Sequence, residues 1–238
     1  MSRTNSPSDS NPMMVRPSLT VLNLEQIQKV HEYSLQILST TGIRVDSERA
    51  RQLFEQVTGN QATGDGVVRI PGSLVEWALE RAPAAIEVYD RQGSLAFRLP
   101  GEARFGIGVT ALYYQDPQTN AVSPFSRKHM EATVRLGGSL PSFDVVSTVG
   151  IIQDTAPEQS DLYAALEMTA NTTKPLVILI SDEELFAPVL DLLEHLHGDL
   201  ASKPFIVPYF NPISPLVINE GTADKMWVAS ERGLPFMY

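Results

Sequence analysis

Four apolar runs set at nearly equal intervals constrain the fold more than any other feature of the chain. They begin at Phe143 (FDVVSTVG), Pro175 (PLVILI), Phe205 (FIVPYF) and Leu234 (LPFMY), and the starts lie 32, 30 and 29 residues apart. A parallel strand followed by its crossover helix needs roughly 30 residues. Each gap carries one helical pattern. Ser181-x-x-Glu184 reads as a capping box ahead of Leu185, Val189, Leu192, Leu193 and Leu196, and Asn219 can cap the next helix, which Gly233 ends. The runs do not alternate polar and apolar residues, as expected of strands buried on both faces. Residues 126–238 therefore read as about four βα units, half of what closes a TIM-type (β/α)8 barrel of about 250 residues. The last run, Leu234 to Tyr238, ends the sequence in mid-strand. An uncovered strand leaves an open apolar edge. The expectation is thus an incomplete, truncated barrel that associates with itself through Leu234–Tyr238 as a homo-oligomer.

The preceding residues follow other periods. Residues 1–22, rich in Ser, Asn and Pro with no apolar stretch of signal-peptide type, read as a disordered tail. Residues 23–84 read as a helical region. Asn23 with Gln26 forms a capping-box pattern before Leu24, Ile27, Val30, Ser34 and Leu38, and Gly42 stops the helix. Asp46 or Ser47 caps a second helix carrying Ala50, Leu53, Phe54 and Val57, and Pro71 opens a third. Between 85 and 125 the period falls to two. The runs Ile86–Tyr89, Leu95–Leu99, Arg104–Val109 and Ala111–Gln115 are split by turn formers, which predicts a small antiparallel β meander. Ser126 caps the helix that leads into the βα units. The fold class is α/β.

Charge and composition narrow the function. Lys and Arg total 18 against 28 Asp and Glu, a net charge of -10, with no basic cluster. Such a field repels a phosphate backbone and attracts small cations, so no nucleic acid is expected. No apolar run is long enough to cross a bilayer, which leaves the cytoplasm as the expected compartment and no membrane partner. The chain has no cysteine, which removes thiolate-ligated metals and a thiol nucleophile. His195 and His197 stand two apart, on different sides of a helix, and do not have the spacing of a metal clasp. No metal site is predicted. Gly106-x-Gly108-x-x-Ala111 matches a dinucleotide-binding pattern, yet a strand follows where a helix N-terminus is required, so these glycines read as sites of close backbone packing.

In parallel βα folds, functional groups collect at the C-terminal ends of the strands. There the sequence offers Gln153 and Asp154, then Ser181 and Asp182, then Asn211, Ser214 and Pro215. With Ser181 and Asp182 assigned to capping, Asp154, Asn211 and Ser214 are the candidate substrate-binding residues. No catalytic residue is singled out.

Several segments in order resemble the trimethylamine methyltransferase family. They are Gln26-x-x-x-Val30-His31 through Thr41-Gly42-Ile43-x-Val45-Asp46, Arg69-Ile70-Pro71, Phe105–Thr110 with Tyr113 and Asp116, Asn171–Pro175, and Pro212–Leu216. The resemblance implies a (β/α)8 barrel with N-terminal helices, in proteins about twice as long as this one. It also implies methyl transfer from a methylated, often quaternary, amine such as trimethylamine or glycine betaine to the Co(I) of a separate corrinoid protein. The cobalamin would be carried by that partner; the chain has no Asp-x-His-x-x-Gly segment of its own and would bind no cofactor directly. A quaternary ammonium has no N–H to donate and is held by carboxylates and aromatic faces. Two other readings fit the same residues: a different TIM-barrel enzyme such as a lyase, and a non-catalytic module that binds quaternary amines.

Overall fold

The computed structural model describes residues 20–238. Most of the tail expected over 1–22 lies outside those residues. In chain order the elements are α1 (Leu24–Thr40), β1 (Ile43–Val45), α2 (Glu48–Thr58), β2 (Val67–Val68), α3 (Gly72–Arg81), β3 (Ile86–Tyr89), β4 (Leu95–Leu99), β5 (Tyr113–Gln115), β6 (Val122–Pro124) and α4 (Arg127–Ser139). They continue with β7 (Val146–Ser147), α5 (Pro157–Asn171), β8 (Leu176–Ile178), a 3-10 turn (Glu183–Leu185), α6 (Phe186–His197), β9 (Ile206–Pro208), β10 (Val217–Ile218) and α7 (Glu220–Glu231). The chain is mixed α/β. Among the described residues no helix is long and apolar enough to cross a membrane.

Local chemistry sets the N-terminal elements. The Asn23 side chain accepts from Gln26 N–H at 2.8 Å while Gln26 Oε1 accepts from Asn23 N–H at 2.9 Å, a reciprocal cap. Of the two residues proposed to cap α2, Ser47 does so, accepting from Ala50 N–H. α1 ends at Gly42, whose φ of 79° is open to glycine, and any Cβ there would meet the Val68 carbonyl at 2.5 Å. This lets β1 pair antiparallel with β2, while its other edge pairs in parallel with β10. The N-terminal helices are thereby tied to the loop that follows β9.

The predicted parallel sheet forms from three of the runs, in the order β7-β8-β9. The fourth run extends it through a parallel bridge between Tyr209 and Met237, with Met237 N–H donating to Pro208 O at 2.8 Å. α4 to α7 connect and cover these strands. Leu176, Ile178, Ile180, Ile206 and Phe210 are buried and belong to one cluster with Met130, Met168, Val189 and Leu193 of the helices. The intervening residues Val177, Leu179, Val207 and Tyr209 are only half-buried and lie outside that cluster. One sheet face is thus packed under helices and the other is open, unlike the two covered faces expected. The described residues do not close into a barrel.

The expected single meander over 85–125 is instead two separate hairpins, β3-β4 and β5-β6. The run Arg104–Val109 leaves the antiparallel region and lies parallel to the first βα strand, through bridges Gly106–Val145 and Ala111–Gly150. Glycine is the reason this approach is possible. A Cβ at Gly106 would sit 2.6 Å from Val145 Cγ2, in agreement with close packing as the role of this glycine. Thr110 N–H donates to Thr148 O at 3.0 Å and Ala111 N–H to Val149 O at 2.9 Å. Because α4 lies between this segment and β7, the parallel series has five members joined by four helices, and the β5-β6 hairpin is an insertion after the first.

Candidate functional site

Parallel order places the C-terminal ends of the five segments on one side of the sheet, where such folds gather their ligand contacts. Four loops meet this side: 112–126, 151–156, 181–185 and 211–219.

In the first, Tyr114 stacks flat on His129, with ring centroids 4.0 Å apart and planes at 9°. Leu112 O accepts from Phe125 N–H at 3.0 Å and also from Gln153 Nε2, which ties this hairpin to the second loop. Asp116 folds the hairpin tip, accepting from Thr119 N–H at 2.8 Å and Gln118 N–H at 2.9 Å. Those backbone bonds hold its carboxyl below the usual range.

In the second loop, Asp154 Oδ1 accepts from Arg127 N–H at 2.8 Å, so its carboxylate sits at the N-terminus of α4. Beside it, Ile151, Thr155, Ser160, Asp161 and Asp182 help line a cleft of about 490 Å³.

The third loop is held by buried charge. Asp161, in the first turns of α5, is 6% exposed. Its Oδ2 accepts from Ser181 N–H at 2.8 Å and from Asp182 N–H at 3.0 Å. Burial pushes the Asp161 carboxyl above its ordinary value, with the two backbone bonds opposing. From α7, Lys225 Nζ donates to Ile180 O at 3.1 Å, and burial pulls its pKa down against the pull of Glu183 and Asp161. The Ser181 capping box does not form. Ser181 N–H is taken by Asp161, and Asp182 caps the 3-10 turn by accepting from Glu184 N–H at 2.9 Å.

In the fourth loop, Asn211 Oδ1 accepts from the Tyr209 hydroxyl at 2.8 Å, and Asn211 O accepts from Thr222 Oγ1 at 3.5 Å. Ser214 is exposed in the turn between the bridged residues Ile213 and Val217, next to the cis peptide at Pro215. Among the described residues no hydrogen bond joins any two of Asp154, Asn211 and Ser214. Asp154 serves the start of α4, Ser214 lies at a turn, and Asn211 reaches the sheet through Tyr209.

Tyr209 is the residue that sequence reasoning passed over. Ser147, Val177 and Val207 share one register. Two residues on, Leu179 and Tyr209 continue the open face, and Met237 lies beside Tyr209 through its bridge. Parity along FIVPYF is the signal that could have found it, since Phe210 packs under the helices and Tyr209 must face the other way.

A family model described as trimethylamine methyltransferase (MTTB) matches residues 2–238. Trimethylamine methyltransferase MttB of Desulfitobacterium hafniense is 25% identical over 218 residues, covering 89% of this chain and 43% of that protein. Its namesake from Methanosarcina barkeri is 23% identical over 227 residues, covering 91% of this chain and 46% of that protein. A glycine betaine methyltransferase of Desulfitobacterium hafniense is 22% identical over 224 residues, again covering 91% and 46%. The chain spans a little under half the length of these relatives. By the match across nearly all of its residues, the chain belongs to the trimethylamine methyltransferase family.

Proposed function

We propose that this chain is part of a methyltransferase that takes a methyl group from a tertiary or quaternary methylated amine, in the cytoplasm. The observation that carries this reading is the family match over residues 2–238, with relatives named for both trimethylamine and glycine betaine. The five parallel segments and four helices support a TIM-type barrel as the architecture of the whole, with the open sheet face as part of its lumen. The proposed methyl acceptor is the Co(I) of a corrinoid held by a separate protein that docks on the loop side. Such a corrinoid, when docked, would supply the nucleophilic electron pair toward the methyl carbon, the C–N electrons leaving with the amine.

What remains for this chain is binding, orientation and exclusion of water. The net charge of -10 favours capture of a cation. Asn211 and Tyr209 stand on the open face, and Gln153 with Asp154 stands on the neighbouring loop. The strand edge at Met237 is where a second copy in a homo-oligomer would continue the sheet.

The test is twofold. Calorimetric titration with glycine betaine and with trimethylamine is expected to show binding. Mixing the protein with either amine and cob(I)alamin is expected to methylate the cobalt, read from its visible spectrum. Absence of both, together with turnover of another substrate that depends on added metal, would replace this reading with the lyase alternative.

A further inference from the structure

The open face of the sheet has a chemical character of its own. Its upper tier holds Leu179, Tyr209 and Met237, and the tier beneath it holds Val177 and Val207, beside the buried Ser147. None of these side chains is charged. A primary ammonium bound here would lose water from three N–H groups and find few acceptors, a cost of several kcal/mol in an apolar setting. A nitrogen whose hydrogens are all replaced by methyl groups loses no such bonds and gains dispersion contacts with Leu179 and Met237. Its charge still needs a partner, and an aromatic face is one.

Among the described residues, five aromatic rings already carry a cation. Arg49 lies 3.5 Å above Trp227, Arg127 lies 4.4 Å above Tyr163, and Arg81, Arg104 and Lys203 stand over Trp77, Phe97 and Tyr89. Tyr209 is not among them. Its hydroxyl donates to Asn211 Oδ1 at 2.8 Å, which fixes the ring at the C-terminal end of β9. The residue is half-buried, so part of its surface is accessible.

We propose that Tyr209 is the specificity-determining residue of the open face, its ring receiving a fully methylated ammonium, with Asn211 as the positioning residue that sets the ring. This rests on the reading of the protein as a methylamine methyltransferase. It goes further in naming the group that separates quaternary from primary ammonium, by cation–π attraction in place of a carboxylate.

The probe is tetramethylammonium, compared with methylammonium and with the uncharged mimic 3,3-dimethylbutan-1-ol. Wild-type protein is expected to bind tetramethylammonium at least about tenfold more tightly than either comparator. Its methyl protons should move upfield in proton NMR, because they lie over a ring. Tyr209→Leu should weaken tetramethylammonium binding about tenfold and abolish the upfield shift, whereas Tyr209→Phe, which keeps the ring, should lose no more than about threefold. Asn211→Ala removes the same hydrogen bond as Tyr209→Phe and should likewise lose no more than about threefold. The upfield shift is read on the unmodified protein, so it does not depend on any variant folding. Binding with no upfield shift, or equal binding by a folded Tyr209→Leu variant, overturns the inference and leaves the methyltransferase reading standing. Failure of wild-type protein both to bind any methylated amine and to methylate cob(I)alamin overturns the two together.

Discussion

The N-terminal helices and the helices of the parallel sheet are both amphipathic, yet they end in different states. α1, α2 and α3 contain no fully buried residue, and Leu24, Val30, Tyr33, Val57 and Trp77 remain more than half exposed. α4, α5 and α6 place Met130, Val134, Met168, Val189 and Leu193 at 0% exposure in one continuous cluster. A periodic apolar face says that a helix can pack, while the amount it buries depends on what lies opposite. For α4 to α6 that is a sheet. For α1 it is mainly α3, with Leu35 against Gly72 and His31 bonded to Glu76 at 2.7 Å.

The largest expected effect lies in the sheet region. Met168→Ala or Leu190→Ala should lower unfolding stability by about 2–5 kcal/mol, because each removes a fully buried side chain from a packed cluster. Urea titration followed by circular dichroism reads this directly. A loss below about 1 kcal/mol would mean that the cluster can collapse around the gap, and would erase much of the contrast with α1–α3.

Next in size is the buried carboxylate that holds the third loop. Asp161→Ala leaves the N–H groups of Ser181 and Asp182 without their acceptor and should cost about 1–3 kcal/mol. Asp161→Asn keeps an acceptor oxygen and removes the buried charge. The folded carboxyl is raised above its unfolded value, so the folded state binds the proton more tightly. The stability from this group is therefore complete below the unfolded pKa and is lost as pH rises through the folded pKa. Wild type should lose stability relative to Asp161→Asn across that window, measured by melting both proteins from acid to neutral pH. Parallel curves would show that burial does not govern this carboxyl.

What could be read from the sequence follows the range of the interactions. Caps act within three residues, so Asn23, Ser126 and Asn219 were identifiable and Ser47 was one of two candidates, and the structure shows all four accepting from the first turn of their helices. The spacing of the apolar runs also survives, since each strand and its helix are contiguous. Pairing between distant segments is a different matter. Nothing local at Arg104–Val109 says that it runs beside Val145, and its alternation is equally compatible with a hairpin. The competition between Ser181 and Asp182 for the cap is decided by Asp161, twenty residues away in sequence. The place of Asn211 at the C-terminal end of β9 was legible from its position after an apolar run. Tyr209 was not, because a run of apolar residues conceals which of them face the open side.

A smaller effect tests how firmly the N-terminal helices are tied down. Val45 is fully buried where β1 pairs with β10, beside an apolar groove of about 440 Å³ between α2 and α7 that includes Phe54, Ile218, Met226 and Trp227. Val45→Ala deletes fewer atoms than Met168→Ala or Leu190→Ala and should cost about 1–2 kcal/mol, less than truncation in the main cluster. Hydrogen exchange at Arg44 and Asp46, whose N–H groups donate to Leu216 O and Ile218 O at 2.9 Å, should quicken in this variant while β8 stays protected. Equal quickening at β8 would join the two regions into one cooperative unit.

The smallest effects belong to α1 itself. Asn23→Ala removes one half of the reciprocal cap and should cost about 1 kcal/mol of helix stability. Val30→Ala, at a position 56% exposed, should stay within about 0.5 kcal/mol in either direction. The order matters more than the sizes. In the sheet region an apolar truncation outweighs the loss of a cap by several-fold, and in α1 the cap outweighs the apolar truncation. Melting of the two α1 variants beside Met168→Ala tests that inversion. If Val30→Ala proves as costly as Met168→Ala, the exposed face of α1 is covered in solution, and the contrast between the two regions would then lie in what they contact and not in how much they bury.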